Sequence, residues 1–142
     1  MTGKNALYGS VYDEAWVGFR NNTGLAWLKL LKPGFRHCFL LLRKGGQWVV
    51  YDPLAHHTRI DLVDAGYELL DAFSEKGCRL IPADIKVPPL SPAPWRPYSC
   101  VEAVKRALGL KAGWVLTPWQ LYRFLTRPGQ NQKKFLFGDN YR

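Results

Sequence analysis

The stretch that decides the fold runs Phe35-Arg36-His37-Cys38-Phe39-Leu40-Leu41-Leu42-Arg43, then Lys44-Gly45-Gly46-Gln47, then Trp48-Val49-Val50-Tyr51-Asp52, with Pro53 closing it. Two strand-forming runs around Gly-Gly predict a β-hairpin. Both runs are apolar on both faces, which places the hairpin in the middle of a covered sheet. Either a two-residue turn at Gly45-Gly46 or a four-residue loop over Lys44 to Gln47 sets Arg43 opposite Trp48. Asp52 then falls opposite Phe39, and His37 opposite Leu54. Because side chains alternate along a strand, His37, Phe39, Trp48, Val50 and Asp52 share one face. His37 and Asp52 become diagonal neighbours within side-chain reach. A three-residue loop would shift the register by one and separate them.

Working outward, Val11 to Phe19 reads as a first strand or an irregular lead-in. Gly24 to Leu31 has Leu25, Leu28 and Leu31 at three-residue spacing, the mark of a short helix, which Lys32-Pro33-Gly34 ends. His57 to Val63 offers a third strand of the hairpin sheet. Asp64 to Lys76 reads as an amphipathic helix with Tyr67, Leu70 and Phe73 on one stripe and Gly77 as its stop. Arg79 to Val87 reads as an edge strand. Pro82 to Pro97 holds six of the 10 prolines and predicts an extended surface crossing. Ser99-Cys100-Val101-Glu102 fits a capping box. The helix behind it has Val101, Val104, Ala107 and Leu108 on one face, Glu102 and Arg106 on the other, and Gly109 at its end. Thr117-Pro118-Trp119-Gln120 is a second capping box with Pro at the first helical position, opening a helix to about Leu125 before Pro128.

Composition agrees with a packed chain. Of 142 residues, 47% are hydrophobic, 22% charged and 14% aromatic, which excludes disorder as the main state. Three cysteines at irregular spacing do not make a disulfide scaffold. The longest apolar run, Cys38 to Leu42, is far short of the roughly 20 residues a membrane helix needs, so no membrane span is expected. No hydrophobic signal core opens the chain, and a cytoplasmic location is expected. The net charge of +9 allows an anionic partner, nucleic acid among them. The charge is scattered rather than gathered, however, and nucleic acid is not the favoured partner. The chain is expected to be one domain over residues 1–142, with its core at about 35–125 and a basic C-terminal tail over 127–142.

Three residues carry a candidate chemistry. If Ser99 caps the helix, Cys100 is its first residue, where free N–H groups and the helix dipole favour a thiolate. The bland alternative for Cys100 is a small buried hydrophobe. His37 lies among apolar strand residues and needs a partner, either a backbone carbonyl or a catalytic one. Asp52 is either a turn former before Pro53 or the carboxylate that orients His37. A cysteine at a helix start, a histidine on a strand and a carboxylate on the next strand make a nucleophile, its base and the group that fixes the tautomer. The backbone N–H of Cys100 is then a natural oxyanion donor. Tyr98 is placed either to hydrogen-bond that oxyanion or the substrate, or to act as a hydrophobic staple.

His37 on one strand, Asp52 on the next, then Tyr98-Ser99-Cys100-Val101-Glu102-Ala103-Val104 resemble the circularly permuted branch of the NlpC/P60 superfamily, in which the His strand precedes the Cys helix. The segment from Cys100 to Leu125, with Gly109 and Thr117 to Tyr122, is similar to small phage proteins of this type. The likeness covers about Phe35 to Leu125, and it departs from the family at Phe39, where a small residue is usual. It implies a papain-like α+β fold, with a small antiparallel sheet packed against helices. It also implies a thiol-dependent peptidase or amidase using Cys100, His37 and Asp52, with a peptide or peptidoglycan substrate. A phage-encoded protein, carried in the virion, would fit. The rival expectation is a catalytically silent component of a phage particle on the same fold. Such a protein would contact other phage structural proteins through the tail with Phe135, Leu136 and Phe137. No phosphate loop or dinucleotide fingerprint is present, and no cofactor is expected. A zinc site from Cys38, His56, His57 and Cys78 lacks any paired ligand spacing, so no metal is expected either.

Overall fold

A computed structural model describes residues 12–21, 31–54, 57–85 and 98–128. In chain order it contains β1 (Glu14–Arg20), β2 (His37–Lys44), β3 (Gln47–Pro53), β4 (Thr58–Asp64), α1 (Glu68–Glu75), β5 (Arg79–Ala83), α2 (Cys100–Leu108) and α3 (Pro118–Leu125). The hairpin forms in the expected register, with Arg43 opposite Trp48 and Leu40 opposite Tyr51. Gly45 takes φ +57°, the left-handed conformation that a tight hairpin turn demands. All strand pairs are antiparallel, and the five strands lie in the order β4-β3-β2-β1-β5. The fold is therefore α+β.

β2 holds the middle of the sheet, which explains why its residues from His37 to Leu42 are all buried. Its alternate side chains feed two cores. Cys38, Leu40 and Leu42 join Ala15, Val17 and Phe19 of β1 beneath Val101, Val104 and Leu108 of α2 and Leu121 and Leu125 of α3. Phe39 and Leu41 join Trp16, Trp48, Val50 and Leu80 against Leu70 of α1. Each of these large side chains contributes roughly 1.5–3 kcal/mol by leaving water. Phe35, Trp119 and Tyr122 pack ring to ring, with centroids 4.8 Å apart for both pairs made by Phe35, and fix α3 on the sheet. Phe39 fits its crowded position because its ring lies across Gly18 on the next strand, where any Cβ would collide with it. No helix among the described residues is long and apolar enough to cross a membrane.

Several expectations need correction. Of the two readings of Val11 to Phe19 the strand holds, as β1 between β2 and β5, and the bound to correct is that of the core, which reaches back beyond residue 35 to Ala15. α1 begins at Glu68, not Asp64. β4 continues to Asp64, which is paired with Gln47, because cross-strand bonding outweighs the helical pattern. The edge strand β5 stops at Ala83. Glu102 does not face solvent, nor does its carboxylate complete the Ser99 box. It is buried and accepts from Lys105 at 3.0 Å and Arg106 at 3.3 Å, and Lys105, also buried, donates to the Val115 carbonyl as well. Ser99 still accepts from the Glu102 N–H, and Gly109 closes α2 at φ +69°. The Thr117–Gln120 box forms in full. The short helix expected before Leu31, most of the proline-rich crossing, His56 and the tail beyond Pro128 lie outside the described residues.

Candidate active site

His37 is the first residue of β2 and pairs with Arg20, the last residue of β1. Asp52 lies near the end of β3. The hairpin register brings the two together as expected. His37 Nε2 donates to Asp52 Oδ1 at 2.5 Å, and both residues are buried, at 5% and 6% exposure. The other carboxylate oxygen, Oδ2, accepts from Arg20 Nη2 at 2.7 Å. Asp52 is thus clamped between a ring and a guanidinium, and the ring's orientation is fixed. With Nε2 committed to the carboxylate, Nδ1 is the nitrogen left for a second partner.

Cys100 is the first residue of α2, held there by the Ser99 cap. α2 packs over the face of β2 that carries Cys38, and the half-buried Cys100 sulfur sits where the start of the strand offers both His37 and Cys38. The His37 ring, the Cys38 thiol and the Cys38 backbone are the groups that act on the charge of its sulfur. Of the three residues named from the sequence, His37 and Asp52 are in direct contact, and the His37 ring acts on the charge of Cys100. A strand residue, a hairpin partner and a helix start supply them.

The electrostatics follow from these contacts. The Cys38 thiol is the largest influence on the Cys100 charge. Together with the His37 ring and the Cys38 backbone it overcomes burial, and the thiol is lowered to about 5. Burial alone would depress His37, but Asp52 and Cys100 outweigh it and raise the ring to about 8. Burial pushes the Asp52 carboxyl up, while His37 and Arg20 together hold it below its usual value. Between about pH 5 and pH 8 the site is a thiolate beside an imidazolium, backed by an ionised carboxylate. Cys38, by contrast, is pushed well up by burial and by the neighbouring Cys100, and stays a thiol.

Tyr98 stands two residues before Cys100, 62% exposed, with its hydroxyl 3.3 Å from that of Tyr51 and the Arg106 guanidinium against its ring. Burial and this contact push Tyr51 up to about 12, so its phenol stays protonated. Tyr51 pairs across the sheet with the exposed Ile60, and Val49 with the exposed Leu62, so an apolar surface continues outward from Tyr98. Of the residues weighed for zinc, His56 lies outside the described residues. Cys38 lies in the core beneath α2, and Cys78 packs against the core on the other face. Among the described residues, no three His, Cys, Asp or Glu side chains are placed to hold a metal ion.

Sequence reasoning missed Arg20, Cys38 and Tyr51. The β1–β2 pairing that brings Arg20 to Asp52 is a long-range contact with no turn to fix its register. Cys38 lies in the core, and α2, whose placement the sequence does not state, sets Cys100 against that same core. Compared with protein-family models, with curated proteins and with solved structures, the chain matches none.

Proposed function

We propose that the protein is a thiol-dependent hydrolase of amide bonds, with a papain-like arrangement in which Cys100 is the nucleophile, His37 the acid–base and Asp52 the orienting carboxylate. The observation that carries this reading is the buried His37–Asp52 pair, 2.5 Å apart, together with a cysteine at a capped helix start whose charge the His37 ring stabilises. The Cys100 thiolate attacks the amide carbon, and the oxyanion that forms is held by the Cys100 backbone N–H at the positive end of α2. Tyr98 adds a hydroxyl beside it. The His37 imidazolium gives its proton to the leaving amine, and the carbonyl carbon remains as a thioester. Neutral His37 then takes a proton from the attacking water, the thioester breaks, and thiolate and imidazolium return. Asp52 stays ionised throughout and holds the ring, as Arg20 holds Asp52. The resemblance to the permuted NlpC/P60 branch makes peptidoglycan stem peptides the first substrates to try, with a phage as the source.

Purified protein incubated with peptidoglycan fragments and with a mixed peptide pool should release new amino groups and pass through a thioester visible by mass spectrometry. Cys100→Ala and His37→Gln should each abolish nearly all turnover, and the double variant should lose little more, because nucleophile and base act as a unit. Normal biological activity of Cys100→Ala would instead favour a silent particle component built on the same fold.

A further inference from the structure

Along the sequence the positive charge is spread, but the fold gathers part of it around α3. From Gly109 to Pro128 the chain carries Lys111, Arg123 and Arg127 and no Asp or Glu. The rings on the same helix draw in two more cations from other parts of the chain. Lys32 Nζ lies 3.4 Å from the centre of the Trp119 ring, and the Arg79 guanidinium of β5 sits over Tyr122 and donates to its hydroxyl at 3.3 Å. Trp119 and Tyr122 are stacked on each other, so these two cations share one pair of rings. The Arg127 guanidinium lies 4.8 Å from the centre of Trp114, which is 49% exposed and meets Phe124 of α3 edge-on. Lys32, Arg79, Lys111, Arg123 and Arg127 are all exposed, and among the described residues none of them pairs with a carboxylate. The acids of α1, Glu68, Asp71 and Glu75, lie across the sheet on its other face. We propose that the α3 face binds single-stranded nucleic acid.

A cation held by a carboxylate has its charge cancelled, whereas a cation held by a ring keeps its charge and is still kept in place. Such a surface meets an anionic chain with little left to order, and each phosphate it engages releases counterions. The rings narrow the choice of anion. A duplex keeps its bases stacked inside and offers the surface only phosphates. An unpaired strand adds bases, which stack on an exposed aromatic such as Trp114 and beneath guanidiniums. An anionic membrane fits less well. Trp114 and Leu116 are the only large exposed hydrophobics described in this segment, and α3 turns Leu121 and Leu125 into the core. A second copy of the chain fits poorly too. Its α1 acids have the right sign, but two chains of net charge +9 repel each other.

The surface uses none of Cys100, His37 or Asp52, so the hydrolase reading and this one fail separately. The full chain is titrated against a fluorescein-labelled thymidine oligonucleotide of about 15 bases, within the span such surfaces cover, and read by anisotropy. Single-strand affinity falls with a log–log slope of about 0.7 per phosphate engaged, so five contacts should lose about 100-fold from about 50 to about 200 mM salt. Arg123→Gln/Arg127→Gln should weaken binding about 25-fold near about 0.1 M salt and lower the slope by about 1.4. Trp114→Ala should weaken it about 5- to 150-fold through lost stacking. Lys76→Gln, also exposed but at the end of α1, should leave affinity and slope nearly unchanged. Thermal melts check that these surface variants stay folded. Wild-type protein that does not bind the oligonucleotide overturns the proposal, and so does binding that survives both α3 changes, including binding lost only when Lys133 and Lys134 of the tail become Gln. A duplex of the same length held as tightly reduces the surface to unspecific charge and overturns it as well. Uptake by phosphatidylglycerol vesicles without oligonucleotide binding assigns the face to a membrane, and self-association abolished by the double variant assigns it to a second copy. Either result overturns the proposal.

Discussion

Replacing His37 by Gln tests the electrostatic core of the site without touching the nucleophile. The wild-type thiol ionises at about 5, and the imidazolium beside it accounts for part of that depression, Cys38 for the rest. An opposite charge in contact shifts a pKa by about 1–3 units, so removing it by about 2 moves the half-point to about 7. A thiolate gains nucleophilicity with its pKa at a Brønsted slope of about 0.4–0.5, which makes the variant's thiolate about eightfold more reactive once formed. Near pH 5 about half of the wild-type thiol is ionised against about 1% of the variant's, and the variant reacts about sixfold slower. Near pH 8 both are ionised, and the variant reacts about sevenfold faster. The two profiles cross at about pH 6, where a single-point assay would see nothing. The assay is the second-order rate of Cys100 with dipyridyl disulfide from acid to alkaline pH, with a thermal melt to confirm folding. Superimposable profiles would show that the ring does not act on the sulfur, and both the pair and the mechanism built on it would fall.

Three further outcomes follow from the same contacts. Asp52→Asn removes the charge that helps hold His37 at about 8, so the alkaline limb of the pH–rate profile should move down towards the ordinary value of about 6.5. The linkage has the same sign: the stability that raised His37 contributes is complete below about 6.5, fades as pH rises through about 8, and should shrink in this variant, as melts on either side of that window would read. Glu102→Ala strands the buried Lys105 ammonium with only a carbonyl partner. A loss of about 3–5 kcal/mol in urea unfolding is expected, with much of it recovered in the Glu102→Ala/Lys105→Met double variant. Gly18→Ala drives a methyl into the Phe39 ring and should cost about 1–3 kcal/mol, relieved when Phe39 becomes Leu. An unchanged melting temperature in Gly18→Ala would contradict the close approach of β1 to that ring.

The sequence by itself determined what is local. Gly45-Gly46 fixed the register of Arg43 against Trp48. That register, together with the alternation of a strand, put His37 and Asp52 on one face before any fold was known. Ser99 and Gly109 bounded α2 and made Cys100 its first residue, and Thr117-Pro118 opened α3. These features rest on φ preferences, caps and periodicities that a few neighbouring residues settle. The tertiary structure alone decided what joins distant segments. β1 entered the sheet between β2 and β5 and carried Arg20 to Asp52. β4 kept Asp64 from α1. α2 turned Glu102 and Lys105 inward and laid Cys100 against the core that holds Cys38. No short stretch encodes such pairings, because the free energy that selects them comes from burying whole faces against one another, and that burial exists only once the layers have met.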